Sequence, residues 1–224
     1  MAPVVLLPGD PNRATLIAEQ LFDDAKLYNS HRQLLGYSGS YQGLPVSVQS
    51  TGMGCPSLAI VVEECIRLGA KTLIRIGTCG AVAAQVAPGD LVIAAASVAN
   101  EGTSRQYLGG ENYSPTPNFE VTTALANAAA TTGRQVHVGL IQTEDAFYAT
   151  TPANVPAMAA RGVLAIEMEA SALFTLGALR GVATGCILIT SNNIGDERLL
   201  AADELHSGVL DMVKVALDAA VALD

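Results

Sequence analysis

Residues 164 to 171 read LAIEMEAS, two glutamates flanking one methionine where an apolar run gives way to a helical pattern. Ionised carboxylates are hydrogen-bond acceptors only, and such a pair can take two donors at once, as from the vicinal hydroxyls of a sugar. It can equally be a charged helix start, because acids are favoured in the first turn of a helix. Further candidates sit at other strand-to-loop junctions. In LLPGDPNRA (6 to 14), Gly9 precedes a helix carrying Arg13. Backbone N–H groups at a helix start and a forked guanidinium suit one anion, although an ordinary turn with a surface arginine reads the same. In TLIRIGTCGAV (72 to 82), Arg75 interrupts an apolar strand, where an unpaired guanidinium would be costly to bury. Its partner is either a bound anion, shared with Thr78 and the backbone of Gly77 and Gly80, or an internal acid such as Glu63 or Glu64. In IQTEDAFYA (141 to 149), Phe147, one of four phenylalanines, stands just past a strand end, placed to stack on a flat ring or to pack in the core. Sugar, flat ring and anion together describe a nucleoside plus phosphate.

These junctions need a scaffold that brings strand ends together. The pattern predicts strands at 3–7, 45–51, 72–78, 90–98, 136–143 and 183–191, β-branched and bounded by Gly, Pro or Asp. Helical periodicity falls at 56–68, 117–132, 168–180 and 201–222, with another helix after the first strand. Alternation of this kind predicts an α/β fold, one domain over 1–224, with a central twisted, mixed but largely parallel sheet flanked by helices. Ligands of such sheets bind outside the carboxyl ends of the strands, where the candidate residues lie. STGMGCPS (50 to 57) superficially resembles a dinucleotide fingerprint, but Ser57 replaces its third glycine and no acid follows at the ribose position, so its glycines serve a turn or a close backbone approach.

Composition excludes other classes. The 224 residues are 50% hydrophobic, yet stretches such as LVIAAASVA (91 to 99) fall well short of the roughly 20 residues a membrane-spanning helix needs. The opening MAPVVLLPGD has no basic segment before its turn and does not read as a signal peptide, which gives a cytoplasmic expectation. A net charge of −9 argues against nucleic-acid binding, which depends on clustered lysine and arginine. Cys55, Cys65, Cys79 and Cys186 are scattered and read as reduced, mostly buried thiols, while His31, His137 and His206 show no metal-ligand spacing.

Taken in order, LPGDPNRA, SHRQLLGYSGSYQG, STGMGCPS, IRIGTCGA, TEDAFYAT, IEMEASAL and SNNIGD resemble the nucleoside phosphorylase family, in the branch of hexameric bacterial purine nucleoside phosphorylases and uridine phosphorylases. The resemblance covers almost the whole chain. It implies reversible phosphorolysis, in which a ribonucleoside and inorganic phosphate give ribose 1-phosphate and a free base, without metal or cofactor. It implies a phosphate site at Gly9, Arg13, Arg75 and Thr78, joined by Arg32 from a neighbouring subunit of a homo-oligomer, a hexamer built as a trimer of dimers. Glu169 would hold the ribose hydroxyls, with Met168 against the sugar and Glu167 beside it, while Phe147 and Ile166 line the base pocket. Asn192 stands where adenosine-accepting members have a catalytic aspartate, which points to inosine and guanosine over adenosine.

The sequence departs from the family pattern in two places. Members usually carry a longer lead into the first turn, with a histidine that reaches a neighbour's ribose 5′-hydroxyl. The arginine that assists the catalytic aspartate has no counterpart: Glu204 or Leu205 stands near its place, and Arg198 follows Asn192 too closely. Uridine phosphorylases read uracil with a glutamine and an arginine before the EME stretch, but residues 148–166 hold no glutamine, and Arg161 matches a position that does not read the base. A hydrolytic nucleosidase has no use for Arg13 and Arg75 around a phosphate, and a non-catalytic nucleoside sensor would not need every phosphate ligand.

Overall fold

A computed structural model of the chain describes residues 1–195 and 199–224. In chain order it runs β1 (Val4–Pro8), α1 (Pro11–Leu21), β2 (Asp23–Asn29), β3 (Gly36–Tyr41), β4 (Leu44–Gln49), α2 (Cys55–Arg67), β5 (Thr72–Ala81), β6 (Leu91–Asn100), α3 (Thr103–Tyr107), α4 (Phe119–Ala129), β7 (Val136–Glu144), α5 (Val155–Ala159), β8 (Ala165–Glu167), α6 (Ala170–Arg180), β9 (Ala183–Asn193) and α7 (Ala202–Leu223). The α/β expectation holds, and each predicted strand and long helix is present to within a few residues.

The nine strands form one mixed sheet in the order β2-β3-β4-β1-β5-β8-β7-β6-β9, and β9 also pairs with β5. That extra pairing closes β5, β8, β7, β6 and β9 into a ring, with β1 to β4 as an open wing. The wing and ring meet at β1 and β5, which run parallel with Leu7 opposite Arg75. Ring closure was not expected from the sequence. Its cause is β9, which is long enough to stay parallel to β5 from Ala183 while its middle, Ile187 to Ile189, runs antiparallel to β6.

Residue alternation along β5 divides the core. Leu73 packs with Leu58, Val62, Leu173 and Phe174 under α2 and α6. Ile74 and Ile76 pack with Ile17, Leu125, Met212 and Val213 under α1, α4 and α7. Both faces of β5 are therefore covered, which is why it reads as an apolar run. Period-two geometry puts Arg75 on the same face as Leu73, facing the start of α6. The four cysteines are free and buried. Among the described residues, no helix is long and apolar enough to cross a membrane.

Candidate active site

The carboxyl ends of β1, β5, β7, β8 and β9 open onto one cavity of about 1000 Å³. Gly9, Arg13, Arg75, Thr78, Phe147, Ile166, Glu167, Met168, Glu169 and Asn192 all line it. Ten of the eleven residues singled out in the sequence thus converge on a single site. The eleventh, Arg32, does not line the cavity; it is exposed in the turn His31–Gln33 with φ 53°.

The floor is an ion-pair cluster. Arg75 donates through Nε to Glu167 Oε2 at 2.7 Å, and its Nη2 contacts Glu169 Oε2. The internal-acid alternative therefore holds, with acids other than the two named from the sequence: Glu63 is engaged by Arg180 on the surface, and Glu64 does not pair with Arg75. Gly77 makes the arrangement possible, because a Cβ there would lie 2.9 Å from Arg75 Nη2. Burial opposes the charge on Arg75, but Glu169 and Glu167 outweigh it and raise its pKa. The guanidinium is positive, and donors not used by the two carboxylates remain for a ligand.

The two glutamates differ in role. Glu167 Oε2 accepts from Arg75 and from the amides of Glu169 and Ala170 at 2.8 and 3.0 Å, while Oε1 accepts from Ala170 and the Thr143 hydroxyl. Thr143 in turn accepts from the Ser171 amide at 3.0 Å. Glu167 therefore anchors the first turn of α6 to β7, the charged helix start that acids favour, and it is only 4% exposed. The acceptor sites of Glu167 are thus met by donors of the chain itself. Glu169 is held by two contacts, the Gly54 amide and Arg75. Gly54 is the N-cap of α2, and its φ of 84° turns that amide toward Glu169. Burial raises the Glu169 pKa; Arg75 opposes the shift, and the adjacent Glu167 adds to it.

At the other wall, Arg13 is half-buried on the first turn of α1, where the Asp10 carboxylate caps the helix by accepting from Asn12 at 2.9 Å. Burial lowers the Arg13 pKa; Asp10 counters this, and Arg75 adds to it. Both arginines face the cavity beside Thr78 and Gly9.

The remaining wall is apolar with a few polar groups. Phe147 is 68% exposed and meets Tyr148 edge to face at 5.1 Å, which removes the core-packing alternative. Ile166 is buried against Met158 and Val163. Asn192 Oδ1 accepts from the Ser191 hydroxyl at 3.0 Å, and its amide nitrogen donates to the Asn193 carbonyl at 3.2 Å. Oriented in this way, the amide has a second N–H to give. Arg198 lies outside the described residues; Leu205 packs against the core under α7, and Arg161 is exposed and not part of the lining. The sequence reading passed over Thr143, the support of Glu167, and Glu144, a buried acid lining the cavity. Both stand inside the TED motif, where a hydroxyl and an acid at a strand end were the available signal.

Residues 3–223 match the Phosphorylase superfamily. The chain is 40% identical over 222 residues to the purine nucleoside phosphorylase DeoD-type of Bacillus cereus (strain B4264), covering 99% of this chain and 94% of that protein. It is 42% identical over 221 residues to the protein of the same name from Caldanaerobacter subterraneus subsp. tengcongensis, covering 98% and 95%. With a single site built from all the strand-end motifs and relatives that align from end to end, the chain belongs to the phosphorylase superfamily.

Proposed function

We propose that this protein is a purine nucleoside phosphorylase, which transfers the ribosyl group of a purine ribonucleoside to inorganic phosphate. The observation that carries this reading is that two arginines, Arg13 and Arg75, line one cavity with the carboxylate Glu169, which pairs with Arg75. The relatives named above carry that activity in their names. Phosphate lies between Arg13, Arg75, Thr78 and the Gly9 backbone. Glu169 accepts from the ribose hydroxyls, Met168 packs on the sugar, and Glu167 acts indirectly by fixing Arg75 and the turn that carries Glu169. Phe147 and Ile166 bracket the base.

Bond cleavage leaves oxocarbenium-like charge on the ribose. A phosphate dianion held against that carbon stabilises the charge and then attacks it, forming the new C–O bond as the C–N bond pair leaves with the base. Asn192 donates to the departing purine at N7 or a 6-oxo group. No protein nucleophile, metal or cofactor enters, and phosphate is a co-substrate. Arg161, exposed and away from the lining, offers no uracil-reading group, which favours a purine over uridine.

The protein acts as a homo-oligomer in this reading, a hexamer of three dimers, with Arg32 of one subunit completing the phosphate site of the next. Exposed apolar side chains at the cavity rim, Met53 at 83% and Tyr148 at 93%, are consistent with cover from a neighbour. The cytoplasm is the expected location. Phosphate dependence of base release from inosine tests the assignment.

A further inference from the structure

Glu144 ends β7, is 9% exposed and lines the cavity. Among the described residues its carboxylate is held by two amides: Asn100 Nδ2 donates to Oε2 at 2.7 Å, and Gln142 Nε2 donates to Oε1. None of the ion pairs among the described residues includes it. Each oxygen keeps a lone pair beyond the one its amide uses. A buried carboxylate without a cation is costly unless further donors reach it, and the cavity it lines is open to such donors.

Its neighbours place it in the base half of the site. Gln142, two residues back on the same face of β7, pairs in register with Ile166 and touches Met158, which packs on Ile166. Phe147 follows three residues later. The neighbouring Thr143 points to the opposite face and supports Glu167, so β7 serves the sugar floor through one face and the base wall through the other.

We propose that Glu144 is a specificity-determining residue that reads the far edge of the base. Its two oxygens accept from adjacent ring and exocyclic N–H groups, the donor pair that a 2-amino-6-oxopurine carries at N1 and its 2-amino group. Hypoxanthine offers only the first of these donors, and adenine offers neither, instead turning a ring lone pair toward the carboxylate. The inference rests on the purine assignment above and predicts an order of guanosine, then inosine, then adenosine. A charged acceptor lost to an unpaired donor changes discrimination by about tenfold or more.

The test compares wild type with Glu144→Gln, which keeps shape and volume. The kcat/KM values for guanosine, inosine and adenosine are measured, with free guanine and free adenine binding followed by calorimetry. We expect wild type to prefer guanosine to inosine. The substitution should weaken guanosine turnover and guanine binding at least tenfold, inosine less, and adenosine or adenine little or not at all. Equal losses for all three nucleosides, or an unchanged ratio, would overturn the role of Glu144. Should wild type split no nucleoside with phosphate, the enzymatic assignment falls, while the guanine-to-adenine binding ratio still decides the role of Glu144. Retained guanine preference in Glu144→Gln would refute it there as well.

Discussion

Arg75 and Glu169 form a buried ion pair on the cavity floor, with the second carboxylate oxygen of Glu169 on the Gly54 amide. One guanidinium faces two carboxylates, so the floor carries an excess of negative charge when both are ionised. Glu167 meets that charge with four separate donor groups, whereas Glu169 meets it with two.

That asymmetry separates stability from activity. Glu167→Gln places an amide donor against the donors of Arg75 and Ala170, and breaking a buried pair costs about 3 to 5 kcal/mol. Glu169→Gln also loses a contact of Arg75, but it leaves Glu167 on that guanidinium and disturbs two donor groups rather than four, so its stability cost is smaller. Both substitutions lower kcat/KM. Denaturant unfolding of the two proteins checks this, and equal losses of stability would contradict the division of roles.

The pH dependence follows from the raised pKa of Glu169. Only the ionised form is acceptor-only toward two ribose hydroxyls, so nucleoside binding releases a proton when it begins from the neutral acid, and affinity increases as pH rises through the folded-state value. The stability sign is opposite. Between the ordinary glutamate value of 4.5 and the raised one, the native state holds the proton more tightly than the unfolded chain, so this residue's contribution falls as pH rises. Inosine binding in phosphate-free buffer should show a midpoint above 4.5 that disappears in Glu169→Gln; a midpoint at or below 4.5 would count against it.

Much of the site could be read from the chain because its chemistry is local. A guanidinium inside an apolar strand, a Pro-Gly-Asp turn before Arg13, and two acids at a strand-to-helix junction each announce themselves within a few residues. The partner of Arg75 could not be read in this way: Glu167 is 92 positions away, and the match depends on how β5 and β8 are paired. The nearer candidate, Glu63, is taken by Arg180, 117 positions away. β2 was missed because six of its seven residues are exposed and show no alternation, and β3 because the glycines and serines of GYSGSY read as turn residues. Ring closure is a consequence of β9 pairing on both sides, a tertiary property that its composition does not express.

Asn192 cannot donate a proton as an acid does, and a positioned general acid is worth about 10² to 10⁴ in rate. Adenosine gains most from such an acid, since adenine lacks the 6-oxo group. Asn192→Asp should therefore move the inosine-to-adenosine ratio of kcat/KM toward adenosine. A wild type that already prefers adenosine would show that another group reads the base at this edge.

Shared sites predict complementation. Arg32→Ala and Glu169→Ala chains, each weakly active alone, should regain activity when unfolded and refolded together, because mixed assemblies contain sites with one intact residue from each chain. A fully active monomer in light scattering would rule out the contribution of Arg32 from a neighbour.

The central claim is that Arg13, Arg75 and Thr78 hold a phosphate that attacks the sugar. The most direct measurement is free-base release from inosine with and without inorganic phosphate, in wild type and in Arg75→Ala. The account predicts release only with phosphate, accompanied by stoichiometric ribose 1-phosphate, and at least a tenfold lower kcat/KM in the variant, from a lost charge-assisted contact of about 1.5 to 3 kcal/mol. Equal rates with and without phosphate, yielding free ribose, would contradict it.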